Sequence, residues 1–163
     1  MKSYRLKQVQ VLPISLEEAW DFFSSPHNLE KITPKDMRFD VISEVPDGKV
    51  YSGQIIKYIV SPVLNIPIHW VTEITHVEDQ KYFVDNQRVG PYAMWHHQHI
   101  FKSVPGGVEM TDIVDYALPM GILGQFAHWL FVKRQVEQIF SFRRSTLTNF
   151  FGNRQQLNPA MAS

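Results

Sequence analysis

The residues best suited to chemistry in this sequence are two histidines on one predicted strand. His97 and His99 flank Gln98 in the run between Trp95 and Phe101. Successive side chains of a strand point to opposite faces, so both imidazoles project from the same face, about 6.6 Å apart along the chain. Trp95 and Phe101 share that face, which indicates that it faces the interior.

Carboxylates recur with the same alternation on neighbouring predicted strands. Asp85 follows Phe83, and Asp112 follows Met110, at intervals of two residues. We therefore predict one interior surface that carries polar groups between aromatic walls. Its predicted ligand-contacting residues are Trp70, Thr72, Phe83, Asp85, Gln87, Trp95, His97, His99, Phe101, Met110, Asp112 and Tyr116 on strands, with Ile122, Leu123 and Phe126 on a following helix.

Imidazoles and carboxylates in an interior need partners, because burying an unpaired polar group costs roughly 2–7 kcal/mol. Three interpretations remain open. The groups could form a hydrogen-bonded network that fixes strand register, or they could anchor a mostly apolar ligand. They could also form a catalytic acid/base pair in which a carboxylate orients His97 or His99. No nucleophile or oxyanion motif accompanies the pair, so the sequence assigns no catalytic residue firmly; the candidates are His97, His99 and Asp112.

A His-x-His pattern on a strand also offers two imidazole ligands, with Asp112 or Asp85 as a third ligand for zinc. The pattern alone is weak evidence, and its aromatic neighbours suit a packed wall better. From the sequence we expect neither a metal site nor a cofactor.

The longest predicted element is a helix from Leu118 to Phe151. At about 100° per residue its apolar residues fall on one side. They are Ile122, Phe126, Trp129, Val132, Val136, Ile139, Phe140, Leu147, Phe150 and Phe151. A long helix is stabilised mainly by packing its apolar side, so a broad surface must receive it.

The first turns of this helix contain two glycines, Gly121 and Gly124. Each weakens a helix by about 1 kcal/mol relative to alanine. We interpret this segment either as a corner between strand and helix or as a mobile lip. In the second case Met120, Ile122 and Leu123 would cover the mouth of the cavity.

Three further helix residues need an explanation. Arg143 falls within the apolar side, where a buried salt bridge or a snorkelling side chain explains it structurally. Phe131 and Phe142 fall on the otherwise polar side. Two explanations for their position are a homodimer contact and the ordinary exposure of single aromatic residues.

The chain before this helix alternates with a period of two on short turns, which predicts an antiparallel meander. The predicted strands are Tyr4–Leu12, Phe39–Ser43, Ser52–Ser61, Ile68–Val77, Tyr82–Val89, Tyr92–Val104 and Val108–Tyr116, with a turn at residues 46–49 and a linker at residues 62–67. After the first strand, Ser15 and Glu18 form a capping box that opens a short helix. Pro26 can begin a second one.

This order and several motifs resemble the START/birch-pollen-allergen superfamily, SRPBCC. The opening segment Ser15–Leu29 is similar to that of the superfamily. The chain resembles in particular a bacterial branch of ligand-binding SRPBCC domains, through Phe83, Asp85, Gln87, Gly90, Pro91, Tyr92, Trp95, His97, His99, Phe101, Met110, Asp112, Val114, Tyr116 and Pro119. The resemblance implies an α+β helix-grip fold, in which a curved seven-stranded antiparallel sheet wraps around a long C-terminal helix. The expected domain covers residues 1–151, followed by a flexible tail at residues 152–163.

The same resemblance implies that a small hydrophobic or amphipathic ligand, such as a lipid, polyketide or sterol, binds between sheet and helix. The superfamily also includes polyketide cyclase/dehydratase enzymes, which would use the His–Asp pair. A structural or interaction domain with a self-filled cavity is the third alternative, because one fold hosts many functions.

Composition excludes several other classes of protein. Of 163 residues, 44% are hydrophobic and 20% are charged, which is typical of a globular domain. The net charge is zero and no basic run occurs, so we expect no nucleic-acid partner. There is no cysteine, which excludes disulfides and thiolate chemistry. No apolar run is long enough for stable membrane insertion, and we expect a cytoplasmic protein.

Overall fold

The computed structural model describes residues 2–43, 48–61 and 66–157, with side chains as far as residue 152. Its strands are β1 (Ser3–Leu12), β2 (Phe39–Val41), β3 (Ile55–Val60), β4 (Ile68–Glu78), β5 (Tyr82–Val89), β6 (Met94–Val104) and β7 (Gly107–Ala117). They form one sheet in the order β1-β7-β6-β5-β4-β3-β2, and all neighbours are antiparallel. The predicted meander is confirmed, and its first strand closes onto its last.

Two short helices follow β1, as predicted: α1 (Leu16–Phe23) and α2 (Pro26–Leu29). The capping box of α1 is confirmed. The Glu18 backbone N–H donates to the Ser15 hydroxyl at 3.1 Å, and the Ser15 N–H donates to the Glu18 carboxylate at 2.9 Å. Two 3-10 turns, Glu30–Ile32 and Lys35–Met37, then lead the chain into β2.

The predicted C-terminal helix consists of α3 (Gly121–Ala127), a π-helical turn (His128–Val132) and α4 (Lys133–Leu157). The chain enters it through two left-handed residues, Met120 and Gly121, with φ values of 68° and 53°. This geometry is a tight corner, as one of the two sequence interpretations proposed. Helix α4 reaches residue 157. The rest of the predicted tail, residues 158–163, lies outside the described residues, as do residues 46–47 of the predicted turn and residues 62–65 of the predicted linker.

The core lies between the concave face of the sheet and the helices. Trp20 of α1 makes edge contacts with Phe83 and Phe101, at ring-centroid distances of 6.0 and 5.7 Å. A second apolar cluster joins Val114 and Tyr116 to the first turns of α4. No helix among the described residues is long and apolar enough to cross a membrane.

The predicted apolar side of the C-terminal helix is buried at Val132 and along most of α4, although Phe150 is 38% exposed. Val136, Phe140, Leu147 and Phe151 are buried there, each at most 3% exposed. In contrast, Ile122, Phe126 and Trp129 are 83%, 58% and 75% exposed. The buried line of this segment instead runs through Gly124, His128 and Val132. The buried side of this segment is therefore narrower than the apolar side that the helical period predicts.

Candidate functional site

A cavity of about 300 Å³ lies between the concave face of the sheet and α4. Its walls are mostly apolar and include residues of α1, α2, β2 to β6, the π-helical turn and α4. Of the predicted site residues, seven line it: Trp70, Thr72, Phe83, Asp85, Trp95, His97 and His99. The strand alternation therefore placed the polar interior face on the correct side of β4, β5 and β6.

Other predicted site residues are inward-facing but lie away from the cavity wall. Phe101 and Met110 belong to the apolar core around Trp20. Gln87 bonds the backbone of Tyr92, its side-chain N–H donating to the carbonyl at 2.7 Å. Asp112 and Tyr116 are buried on β7, behind the cavity wall.

The three predicted contacts on the helix, Ile122, Leu123 and Phe126, are a correction to the sequence analysis. They are exposed and do not line the cavity. The reason is the packing of Gly124, where an added Cβ would lie 2.0 Å from the Pro119 carbonyl oxygen. Because that glycine fixes which side of α3 meets the corner, the apolar residues around it face solvent.

The histidines and carboxylates meet because of strand register. Asp85 is the pairing partner of His97 between β5 and β6, and Asp112 is the partner of His99 between β6 and β7. The hydrogen bonds run diagonally. His97 Nε2 lies 2.8 Å from Asp112 Oδ1, and His99 Nε2 lies 2.9 Å from Asp85 Oδ2. The two imidazole centroids are 3.7 Å apart.

Arg143 completes this group from the helix side, and we call the five residues Asp85, His97, His99, Asp112 and Arg143 the polar cluster. The Arg143 side chain is buried, with Nη1 3.8 Å from Asp112 Oδ1. Its guanidinium lies over the Phe140 ring, 5.0 Å from the centroid. Arg143 Nε and Nη1 are buried and have no hydrogen-bond partner among the described residues, although Arg143 lines the cavity.

Burial and mutual contact shift the pKa values of this cluster in opposite directions. Burial opposes ionisation of Asp85 and Asp112, yet the neighbouring histidines outweigh it and lower the pKa of both carboxyl groups. Burial and the adjacent His99 lower the pKa of His97. For His99, burial acts in the same direction, but bonds to both carboxylates raise its pKa. These shifts favour two carboxylates, a protonated His99 and a neutral His97.

Two tyrosines and one threonine add polarity elsewhere on the cavity wall. Burial raises the pKa of Tyr58 and of Tyr92, so both phenols stay neutral and can donate hydrogen bonds. The Trp70 indole N–H already donates to the Thr72 hydroxyl at 3.1 Å. These groups offer hydrogen bonds without charge. Among the described residues, the charged groups of the wall belong to the polar cluster.

Several other residues of the cavity wall were not predicted from the sequence. Phe22, Phe23, Leu29, Ile56, Tyr58, Val60, Phe131, Ile139, Phe140 and Arg143 all line the cavity. For Arg143 a usable signal was present, since a charged residue within an apolar helix side requires a partner. Phe131 was assigned to the polar side of the helix, but it lines the cavity while remaining 45% exposed.

Comparison with known proteins identifies the fold. No family model and no curated protein matches the chain. Solved structures do match. A protein from Rhodobacter sphaeroides aligns with a TM-score of 0.67 at 15% identity, covering 91% of this chain and 92% of its own. Protein Ms6760 from Mycobacterium smegmatis gives 0.62 at 16% identity, with coverages of 90% and 92%.

The structure of Ara h 8.0201 matches with a TM-score of 0.55 at 13% identity, over 91% of this chain and 99% of that one. Identities this low support a shared fold and leave function to the site itself. The protein is therefore an α+β domain with the helix-grip fold, shared with these bacterial proteins and with Ara h 8.0201.

Proposed function

We propose that the protein binds one small, largely apolar molecule in its cavity, with an oxygen of that molecule facing the polar cluster. The observation that carries the proposal is Arg143. It lines a mostly apolar cavity, and two of its buried nitrogens, Nε and Nη1, have no hydrogen-bond partner among the described residues. Leaving such donors unsatisfied costs about 1–3 kcal/mol or more. A ligand carbonyl, carboxylate or similar acceptor would recover that free energy.

The volume narrows the ligand class. Ligand pockets in proteins usually measure about 300–1,000 Å³. A cavity of about 300 Å³ lies at the low end of that range. We therefore favour a compact aromatic or short-chain amphipathic molecule over a sterol-sized one.

Native mass spectrometry of the purified protein tests the proposal first, by asking whether a small molecule accompanies it. Ile56→Trp supplies the matched perturbation, because Ile56 is 1% exposed and lines the cavity. Ile55→Trp is its control on the outer face of the same strand, where Ile55 is 47% exposed. Binding of an environment-sensitive fluorescent amphiphile should be lost in the first variant and kept in the second. Equal binding by both folded variants would place the ligand outside the cavity.

A catalytic role of the cyclase/dehydratase kind is the second candidate, and one observation favours it. His97 faces the cavity with a lowered pKa, and its other nitrogen lies 2.8 Å from Asp112. A neutral imidazole oriented by a carboxylate is a suitable general base. With an identified ligand, His97→Gln should reduce affinity if the protein is a binder. If it is an enzyme, turnover should fall while much of the binding remains.

A further inference from the structure

The polar cluster contains three donor atoms arranged as metal ligands. Asp85 Oδ2 lies 3.4 Å from His97 Nδ1 and 2.9 Å from His99 Nε2. The three donors all lie within 4.8 Å of one another. In a tetrahedral site with bonds of about 2.0–2.1 Å, neighbouring ligand atoms are about 3.3 Å apart. Side-chain movements of about 1 Å would therefore bring all three onto one ion.

We propose that Asp85, His97 and His99 form a binding site for a first-row divalent metal ion, with zinc the best match. Two imidazoles and one carboxylate are the ligands found in many catalytic zinc sites. Calcium and magnesium prefer sites made of oxygen atoms. The chain has no cysteine, so no thiolate competes for a soft ion.

The far nitrogen of His97 supports this assignment. His97 Nε2 lies 2.8 Å from Asp112 Oδ1 and is hydrogen-bonded to it, whereas His99 Nδ1 lies 3.1 Å from the same oxygen without forming a hydrogen bond. Metal-binding histidines usually direct their second nitrogen to a carboxylate in this way, which fixes the tautomer and orients the ring. The inner nitrogens, His97 Nδ1 and His99 Nε2, face Asp85 at 3.4 and 2.9 Å. A metal ion there would displace the proton that His99 Nε2 shares with Asp85, because an imidazole coordinates through its lone pair.

The three donor residues face the cavity, so a bound ion would be accessible to a molecule held there. Asp85, His97 and His99 all line the cavity, so an ion held by three protein atoms would keep a coordination position open to it. The carboxylates of Asp85 and Asp112 contribute −2 and Arg143 +1; a divalent ion brings the cluster to +1 with neutral histidines. Such a site would attract an anionic oxygen of a bound molecule. This last step rests on the proposed function, whereas the metal site itself does not.

Cobalt titration of chelator-treated protein tests the inference with the metal alone. We expect one equivalent of Co²⁺ to bind, with the intense visible absorption of four-coordinate cobalt, and Zn²⁺ to displace it. Asp85→Asn and His99→Gln should abolish the absorption. His96→Gln is the matched control, since His96 lies on the other face of the same strand, beside Asn86. It should bind as the unaltered protein does.

Asp112→Asn separates a positioning role from ligation. Loss of such an outer carboxylate typically weakens metal binding by 10–100-fold, so cobalt affinity should fall without vanishing. Circular dichroism establishes whether each variant is folded. The inference is wrong if the unaltered, folded protein binds no stoichiometric Co²⁺, a result that does not depend on any variant. It is equally wrong if folded Asp85→Asn and His99→Gln bind as tightly as His96→Gln. Amphiphile binding by metal-free protein would then still support the proposed function.

Discussion

Replacing Asp112 and Arg143, singly and together, tests how the polar cluster is stabilised. Arg143 Nη1 and Asp112 Oδ1 are 3.8 Å apart, and both side chains are almost fully buried. At an effective dielectric constant of about 20, two unit charges at that distance attract by about 4 kcal/mol. Removing one member of a buried pair costs about 3–5 kcal/mol, because the other charge is left without compensation.

Arg143→Met should therefore lower the free energy of unfolding by about 3 kcal/mol. This is the low end of that range, because Asp112 would still lie beside both imidazoles. Asp112→Asn should cost more, about 4–5 kcal/mol, since it leaves Arg143 and a protonated histidine together. The double variant removes both charges. It should be less destabilised than the sum of the single variants by about 2–3 kcal/mol, at the upper end of the coupling energies of neighbouring residues.

Urea unfolding followed by tryptophan fluorescence and circular dichroism measures these quantities, with a chelator present so that bound metal does not add stability. For a chain of this size, 3 kcal/mol corresponds to a fall in Tm of about 6–12 °C. The control cycle uses Arg5 and Asp115, an ion pair on the outer face of β7. Solvent screens that pair, so its coupling should be far smaller.

Additive effects in the Asp112 and Arg143 cycle would refute the reasoning. Coupling below about 0.5 kcal/mol is the level expected of independent sites. The two groups would then be stabilised separately, and Arg143 would be available to a ligand at no cost to the cluster. A double variant more stable than the unaltered protein would show instead that desolvation of the pair exceeds its attraction.

Two further predictions concern the corner and the start of the C-terminal helix. Burial and the nearby Lys133 and Lys2 lower the pKa of His128, so the free energy of unfolding should fall as pH drops below about 6.5, where the unfolded chain takes up a proton more readily than the native one. In His128→Gln, the free energy of unfolding measured chemically between pH 5 and 7 should depend less on pH. An unchanged dependence would assign the effect to other groups. Gly124→Ala should lower Tm, because the new Cβ would lie 2.0 Å from the Pro119 carbonyl oxygen. Gly152→Ala has open space in α4 and should raise the free energy of unfolding by up to about 1 kcal/mol. Equal effects of the two substitutions would show that the backbone between β7 and α3 adjusts to the added methyl group without cost.

Strand alternation predicted much of the candidate site. Trp95 and Phe101 fixed which face of β6 points inward, and the histidines between them followed, since a slip of one residue would reverse every side chain. Their burial, 4% for His97 and 6% for His99, confirms that assignment. The capping box at Ser15 likewise gave the start of α1, because its two hydrogen bonds depend only on local sequence.

Helical periodicity predicted less, for two physical reasons. A helix of 3.6 residues per turn tolerates a wide apolar side, so the pattern could not distinguish residues that meet the sheet from residues that extend beyond it. The π-helical turn at His128–Val132 and the left-handed Met120 add local geometry that no periodicity encodes. The outward exposure of Ile122 and Leu123 follows from that geometry.

Arg143 was missed as a wall residue for a different reason. Its environment depends on which strand residues lie opposite the third turn of α4, and only tertiary packing decides that. The register of β6 and β7 brings Asp112 beside His97 and His99, and α4 then brings Arg143 within 3.8 Å of the same carboxylate oxygen.

The convergence on one carboxylate oxygen connects the fold to its candidate function. His97 Nε2, His99 Nδ1 and Arg143 Nη1 all lie within 3.8 Å of Asp112 Oδ1, and of these three atoms only His97 Nε2 is hydrogen-bonded to it. Asp112 therefore orients His97 directly and attracts His99 and Arg143 by charge. The other imidazole nitrogens, His97 Nδ1 and His99 Nε2, face Asp85, while the helix presents Arg143 from the other side. A purely structural network would need no opening towards a cavity, yet Asp85, His97, His99 and Arg143 all line one. Because Asp112 itself does not line it, its replacement should disturb ligand and metal through orientation, whereas replacement of Asp85 removes a contact directly.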